Sequence, residues 1–71
     1  MKKSIYIEFN PQDTNDTKNA LAEAQKEVFK NNNKVILKAS TNLIYSESLA
    51  LILLHSPLRF LYTSNNEFIT D

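Results

Sequence analysis

No glycine occurs anywhere in this 71-residue chain, and that omission limits the turns it can make. Glycine takes a positive φ without steric cost, and asparagine is the next most tolerant residue. Left-handed turns are therefore expected at Asn31, Asn32 and Asn33 and again at Asn65 and Asn66. The same omission bears on chemistry. A phosphate-cradling loop and a dinucleotide fingerprint both need glycine where the backbone closes on its ligand. Neither motif is present.

Between these turns the hydropathy pattern alternates between two periods. In Ser4–Phe9, Ile5, Ile7 and Phe9 alternate with Tyr6 and Glu8, which is the signature of a strand with one apolar face. Pro11 ends it. The stretch 13–17 is rich in capping residues, and Asp16 or Thr14 is the expected N-cap of a helix over 17–31. Leu21, Ala24 and Val28 carry its apolar stripe. Residues 34–40 form a second alternating strand, with Val35, Leu37 and Ala39 opposite Lys34, Ile36 and Lys38. Ser46, Glu47 and Ser48 signal a second helix start. That helix runs over 49–55 and stops at Ser56 and Pro57. A third strand covers 58–63, with Leu58, Phe60 and Tyr62 opposite Arg59, Leu61 and Thr63. The tail, 64–71, reads as a loose final turn around Phe68 and Ile69.

Strand, helix, strand, helix, strand implies two right-handed crossovers and strands that run parallel. A sheet covered on both faces reads as continuously apolar. Here Glu8, Lys38 and Arg59 share one face, so that face is expected to be wet. The expectation is an α/β fold: a small two-layer βαβαβ unit with a three-stranded, largely parallel sheet in the order 1-2-3. Both helices lie mainly on one face, in a single domain over 1–71.

Composition narrows the function. Eight basic and eight acidic residues cancel, which argues against a nucleic-acid face and against an acidic nucleic-acid mimic. Lys34, Lys38, Arg59 and Tyr6 could together resemble an RNA-binding sheet, but Glu8 sits among them and no aromatic signature is complete. Cysteine is absent, which removes disulfides, thiolate metal sites and thiol nucleophiles. His55 is the only histidine. A lone histidine makes no metal site, and Glu47 lies about two helical turns from it, too far for an acid/base pair. Glu23 and Glu27 sit among lysines on a solvated helix face. Catalytic residues, metal and cofactor are all expected to be none. Glu8 and Pro11 interrupt the N-terminal apolar run too early for an export signal, and residues 49–54 are too few to span a bilayer. The expected location is the cytoplasm.

Residues 49–54 point instead to a partner. Leu49, Ala50, Leu51, Ile52, Leu53 and Leu54 are consecutive, so their helix is apolar all round. A helix on a sheet buries one stripe, and a domain this small has little else to cover the remainder. An uncovered apolar surface marks an interaction site. Leu49, Ile52 and Leu53 are the expected anchors, with Tyr45 and Ser46 at the rim. The alternative is that the tail and the first helix fold over this surface.

The same segments resemble the STAS domain, the module of sulfate transporters and anti-sigma-factor antagonists. Residues 34–40 resemble its second strand. Leu43, Ile44, Tyr45, Ser46, Glu47, Ser48 and Leu49 stand where that family has hydrophobic-hydrophobic-Asp-Ser-x-Gly-Leu, and 58–64 resemble the strand that follows. Ser46 matches the family's regulatory position. Tyr45 replaces the motif Asp and Ser48 the Gly, and the family's opening strand and closing helix are missing or reduced. The resemblance implies a non-enzymatic regulatory module that docks on an anti-sigma kinase or the ATPase of a lipid-transport ABC system. It thereby implies a place at the inner face of the membrane, through a transporter partner. Ser46 becomes a candidate phosphosite, since phosphate is favoured at a helix N-terminus and costly in an apolar interface. Its plainer role is an N-cap. A second reading, from another class, is a small antitoxin, immunity protein or phage-encoded inhibitor. Such a protein would act as a homo-oligomer or by binding a target enzyme.

Overall fold

A computed structural model describes residues 3–41, 47–63 and 66–70, without the side chains of 47–50. The elements are β1 (Ser4–Phe9), α1 (Thr14–Phe29), β2 (Lys34–Ala39), α2 (Glu47–Leu54), β3 (Phe60–Thr63) and β4 (Glu67–Thr70).

Local chemistry sets the ends of α1. The N-cap is Asp13, in extended backbone, and its carboxylate accepts the Asp16 N–H at 3.1 Å. Asp16, expected as a cap, lies in the first turn and accepts the Asn10 N–H at 2.6 Å. The helix therefore starts earlier than residue 17, and Thr17 is buried, its hydroxyl donating to the Asp13 and Asn10 carbonyls. At the other end Asn32 takes φ 56°. The side-chain amides of Asn31 and Asn33 both donate to Glu27 Oε1, at 2.9 and 3.0 Å. Together they hold the Glu27 carboxyl below its usual range, with Asn31 contributing most. Asn33 Oδ1 also accepts the Lys3 N–H, tying the helix end to the start of β1. Lys30 is the C-cap, in right-handed backbone, and two residues on Asn32 supplies the left-handed turn for which glycine is the usual choice.

The sheet has four strands in the order β1-β2-β4-β3. β1 and β2 are parallel, with Ile5 beside Val35 and Ile7 beside Leu37. β4 is antiparallel to both β2 and β3. β3 therefore runs in the same direction as β1 and β2, as two crossovers require, but it does not touch β2. The expected three-stranded, largely parallel sheet in the order 1-2-3 is corrected to a mixed four-stranded one.

The correction lies in the tail. Residues 67–70 are a strand, not a loose turn. A hairpin needs only a short connection, and Asn66 supplies a positive φ of 59° there. Phe68 and Ile69 then serve opposite faces, the pattern of a strand buried between neighbours. Phe68 is 3% exposed. Its ring lies 6.4 Å from Phe9, 6.3 Å from Phe60 and 5.3 Å from Tyr62, centroid to centroid. Beyond the last β2–β4 pair, the Thr70 hydroxyl accepts the Val35 N–H at 3.0 Å and donates to the Val35 carbonyl at 3.3 Å.

The core lies on one face of the sheet. Phe9, Leu21, Ala24, Val35, Leu37 and Phe68 are at its centre. α1 packs on β1 and β2, α2 packs on α1, and Ile52 and Leu53 of α2 reach the same core. On the opposite face Tyr6, Glu8, Lys34 and Lys38 are exposed. No helix among the described residues is long and apolar enough to cross a membrane.

Candidate functional site

Eight residues make α2, from Glu47 to Leu54, two residues earlier than the apolar run begins and one short of His55. At about 1.5 Å per residue it is roughly 12 Å long. Only one stripe of so short a helix can meet α1 and the core. Ile52 and Leu53 are half-buried and pack there, while Leu51 is half-exposed and Leu54 is 77% exposed. The tail does not cover α2, because Phe68 and Ile69 are committed to the sheet. The alternative in which tail and first helix enclose the leucines is thereby corrected for Leu51 and Leu54.

The expected site residues separate accordingly. Tyr45 and Ser46 fall outside the described residues, as does the side chain of Leu49. Ile52 turns inward. Leu53 is divided: it packs on the core and also lines a groove. That groove, about 670 Å³, runs between the C-terminal half of α2 and the edge strand β3. Leu53 and Leu54 form one wall and Phe60 and Tyr62 the other, with Leu58 and Phe68 also lining it. Tyr62 is 55% exposed. Arg59 is the only charged side chain among the described residues that line it.

The topology explains why the groove is open. α1 covers the β1–β2 half of the sheet. Inserting β4 pushes β3, an edge strand in either order, outward by one strand spacing, about 4.8 Å, beyond the reach of α1. α2 is too short to span the remainder. The apolar side chains facing this half are left beside solvent. Sequence reading found the α2 wall and missed the β3 wall. A signal was there: Phe60, Leu61 and Tyr62 are apolar on both faces, which is unusual for an edge strand of a water-soluble sheet.

The groove is suited to binding an apolar segment. His55 is exposed, and no group of three His, Cys, Asp or Glu side chains able to hold a metal ion occurs among the described residues. Arg59 offers a single cation to a carboxylate at the rim. A second, smaller cleft of about 470 Å³ lies between α1 and α2, where Lys18, Leu21 and Ala22 face Leu51, Ile52 and His55.

Comparison with protein-family models, with curated proteins and with solved structures gave no match to this chain.

Proposed function

We propose that this protein is a non-enzymatic interaction module that docks a partner protein in the groove between α2 and β3. One observation carries the reading. Leu54 and Tyr62, 77% and 55% exposed, flank an apolar groove that none of the described elements fills. Large side chains so placed lose ordered water when a partner covers them, at roughly 25 cal/mol per Å² of apolar surface. The fitting partner presents an apolar segment with a carboxylate positioned for Arg59. The STAS resemblance adds a partner class, an anti-sigma kinase or a transporter ATPase, and a cytoplasmic setting. No comparison with known proteins bears on this resemblance, so the proposal rests on the groove rather than on the family.

Leu54→Asp is the variant of choice. Leu53 packs on the core, so Leu53→Asp would confound folding with binding. Wild-type and Leu54→Asp chains serve as parallel baits, and a captured protein is purified and titrated against both. The expected result is binding lost at least tenfold in Leu54→Asp with an unchanged circular-dichroism spectrum, and weakened further by Arg59→Glu. Equal affinity of the two chains for every captured protein would sink the proposal.

A further inference from the structure

The face of the sheet away from the helices has its own order. Side chains alternate along strands, so register partners share a face. Tyr6 pairs with Ile36, Ile36 with Ile69, and Ile69 with Leu61. These four make an apolar row across every strand of the uncovered face. Its two ends are open, with Tyr6 69% and Leu61 60% exposed, while Ile69 is half-buried and Ile36, shielded by the neighbouring side chains, is 9% exposed. The next row along the strands is Glu8, Lys38, Glu67 and Thr63. On the other flank, Lys34 lies two residues before Ile36 on the same face.

From this pattern we infer that the open face is a self-complementary interface between two copies of the chain. Consider two sheets face to face, related by a two-fold axis along the strands. β1 then lies over β3 of the second copy, and β2 over β4. The rows stay in register: Tyr6 meets Leu61 and Ile36 meets Ile69. Lys38 of each copy meets Glu67 of the other, so the charged row is complementary twice over, as an isologous interface requires. Charge also selects this axis. A two-fold across the strands would set Lys38 over Lys34. The helices remain outside, on the opposite face. Leu61 borders both the row and the α2–β3 groove, while Leu54 and Tyr62, which carry the partner proposal, lie outside the row, so the two are tested by different residues.

The interface is small. Four strands span about 19 Å, and four to six residues about 13–20 Å. That is roughly 250–380 Å² of sheet face per copy, below the about 800 Å² per partner of a standard interface, so a weak dimer with a dissociation constant in the upper micromolar range is expected.

Sedimentation equilibrium on the full chain from about 5 to 500 µM spans that range. The expected result is a monomer–dimer equilibrium. Lys38→Glu and Glu67→Lys each place like charges together and should sediment as monomers. Within a copy each variant also mismatches neighbouring strands, so folding is checked by circular dichroism. The decisive sample is their equimolar mixture. Lys38 and the new Lys of one chain face the new Glu and Glu67 of the other, and dimer should return although neither chain is repaired internally. Lys26→Glu mixed with Glu23→Lys carries the same net charges on the exposed surface of α1 and should give no gain over the wild type. A wild-type monomer throughout the range, a dimer indifferent to Lys38→Glu, or no rescue in the mixture would each overturn the inference.

Discussion

Replacing Phe68 by Ala tests the part of the fold that most alters the reading of the surface. Phe68 is 3% exposed and its ring meets those of Phe9, Phe60 and Tyr62. Truncating a fully buried Phe costs about 3–5 kcal/mol, the transfer term plus the cavity left behind. A 71-residue domain has about 4–11 kcal/mol of total stability at 0.05–0.15 kcal/mol per residue. The substitution therefore removes about a quarter of the stability at least, and nearly all of it at the bottom of that range. An unfolding entropy near 2.1 cal/mol/K per residue gives about 6–7 °C per kcal/mol, so Tm should fall by about 20–30 °C. Urea denaturation at 25 °C, followed by far-UV circular dichroism, measures the loss directly. Phe68→Leu, which keeps most of the volume, should fall between. If residues 67–70 were a loose tail, the substitution would cost under about 0.5 kcal/mol, as at ordinary surface positions. A Tm within about 4 °C of the wild type would refute the inserted strand.

Thr70→Val keeps the shape of the side chain but strips both hydrogen bonds from the buried Val35 peptide groups. A loss of about 1–3 kcal/mol in urea unfolding is expected, with Thr70→Ser closer to wild type; no loss would mean water replaces the hydroxyl. Asn32 holds φ 56°, so Asn32→Val should cost about 1–2 kcal/mol while Asn32→Gly is tolerated, read as paired Tm values. Glu27 is held below its unfolded value of 4.5 by the Asn31 and Asn33 amides. Its ionised form is favoured in the native state, so this stabilisation is present above about pH 4.5 and lost as pH falls through the lower native value. The stability gap between wild type and Glu27→Gln should narrow over that acid range, and a gap independent of pH would remove the linkage.

The one-dimensional pattern determined what depends on neighbours in the chain. β1 coincides with its alternating run, and among the described residues both with a positive φ, Asn32 and Asn66, fall within the two asparagine clusters. The common direction of β1, β2 and β3 follows from two helical crossovers. The cap of α1 lies one residue before Thr14 and three before Asp16, the two expected, because Asp13, Thr14 and Asp16 all have capping chemistry, and only the path of the chain from Asn10 selects among them. The leucines of α2 announced an incomplete enclosure, and Leu51 and Leu54 are where solvent reaches them.

Tertiary structure alone decided where the last strand goes. Phe68 and Ile69 show that the tail has apolar side chains for two faces, but strand pairing is a non-local choice among free edges. Once β4 enters between β2 and β3, its backbone finds partners on both sides and Phe68 closes the aromatic cluster. The same event carries β3 one strand further from α1, opens the groove beside Leu54 and joins Ile36, Ile69 and Leu61 into one row. The row joins residues as far apart in the chain as Tyr6 and Leu61, and the groove sets α2 against Phe68 as well as against its neighbour β3. No local period encodes such a juxtaposition, because its cause is competition for hydrogen bonds and buried area across the whole sheet.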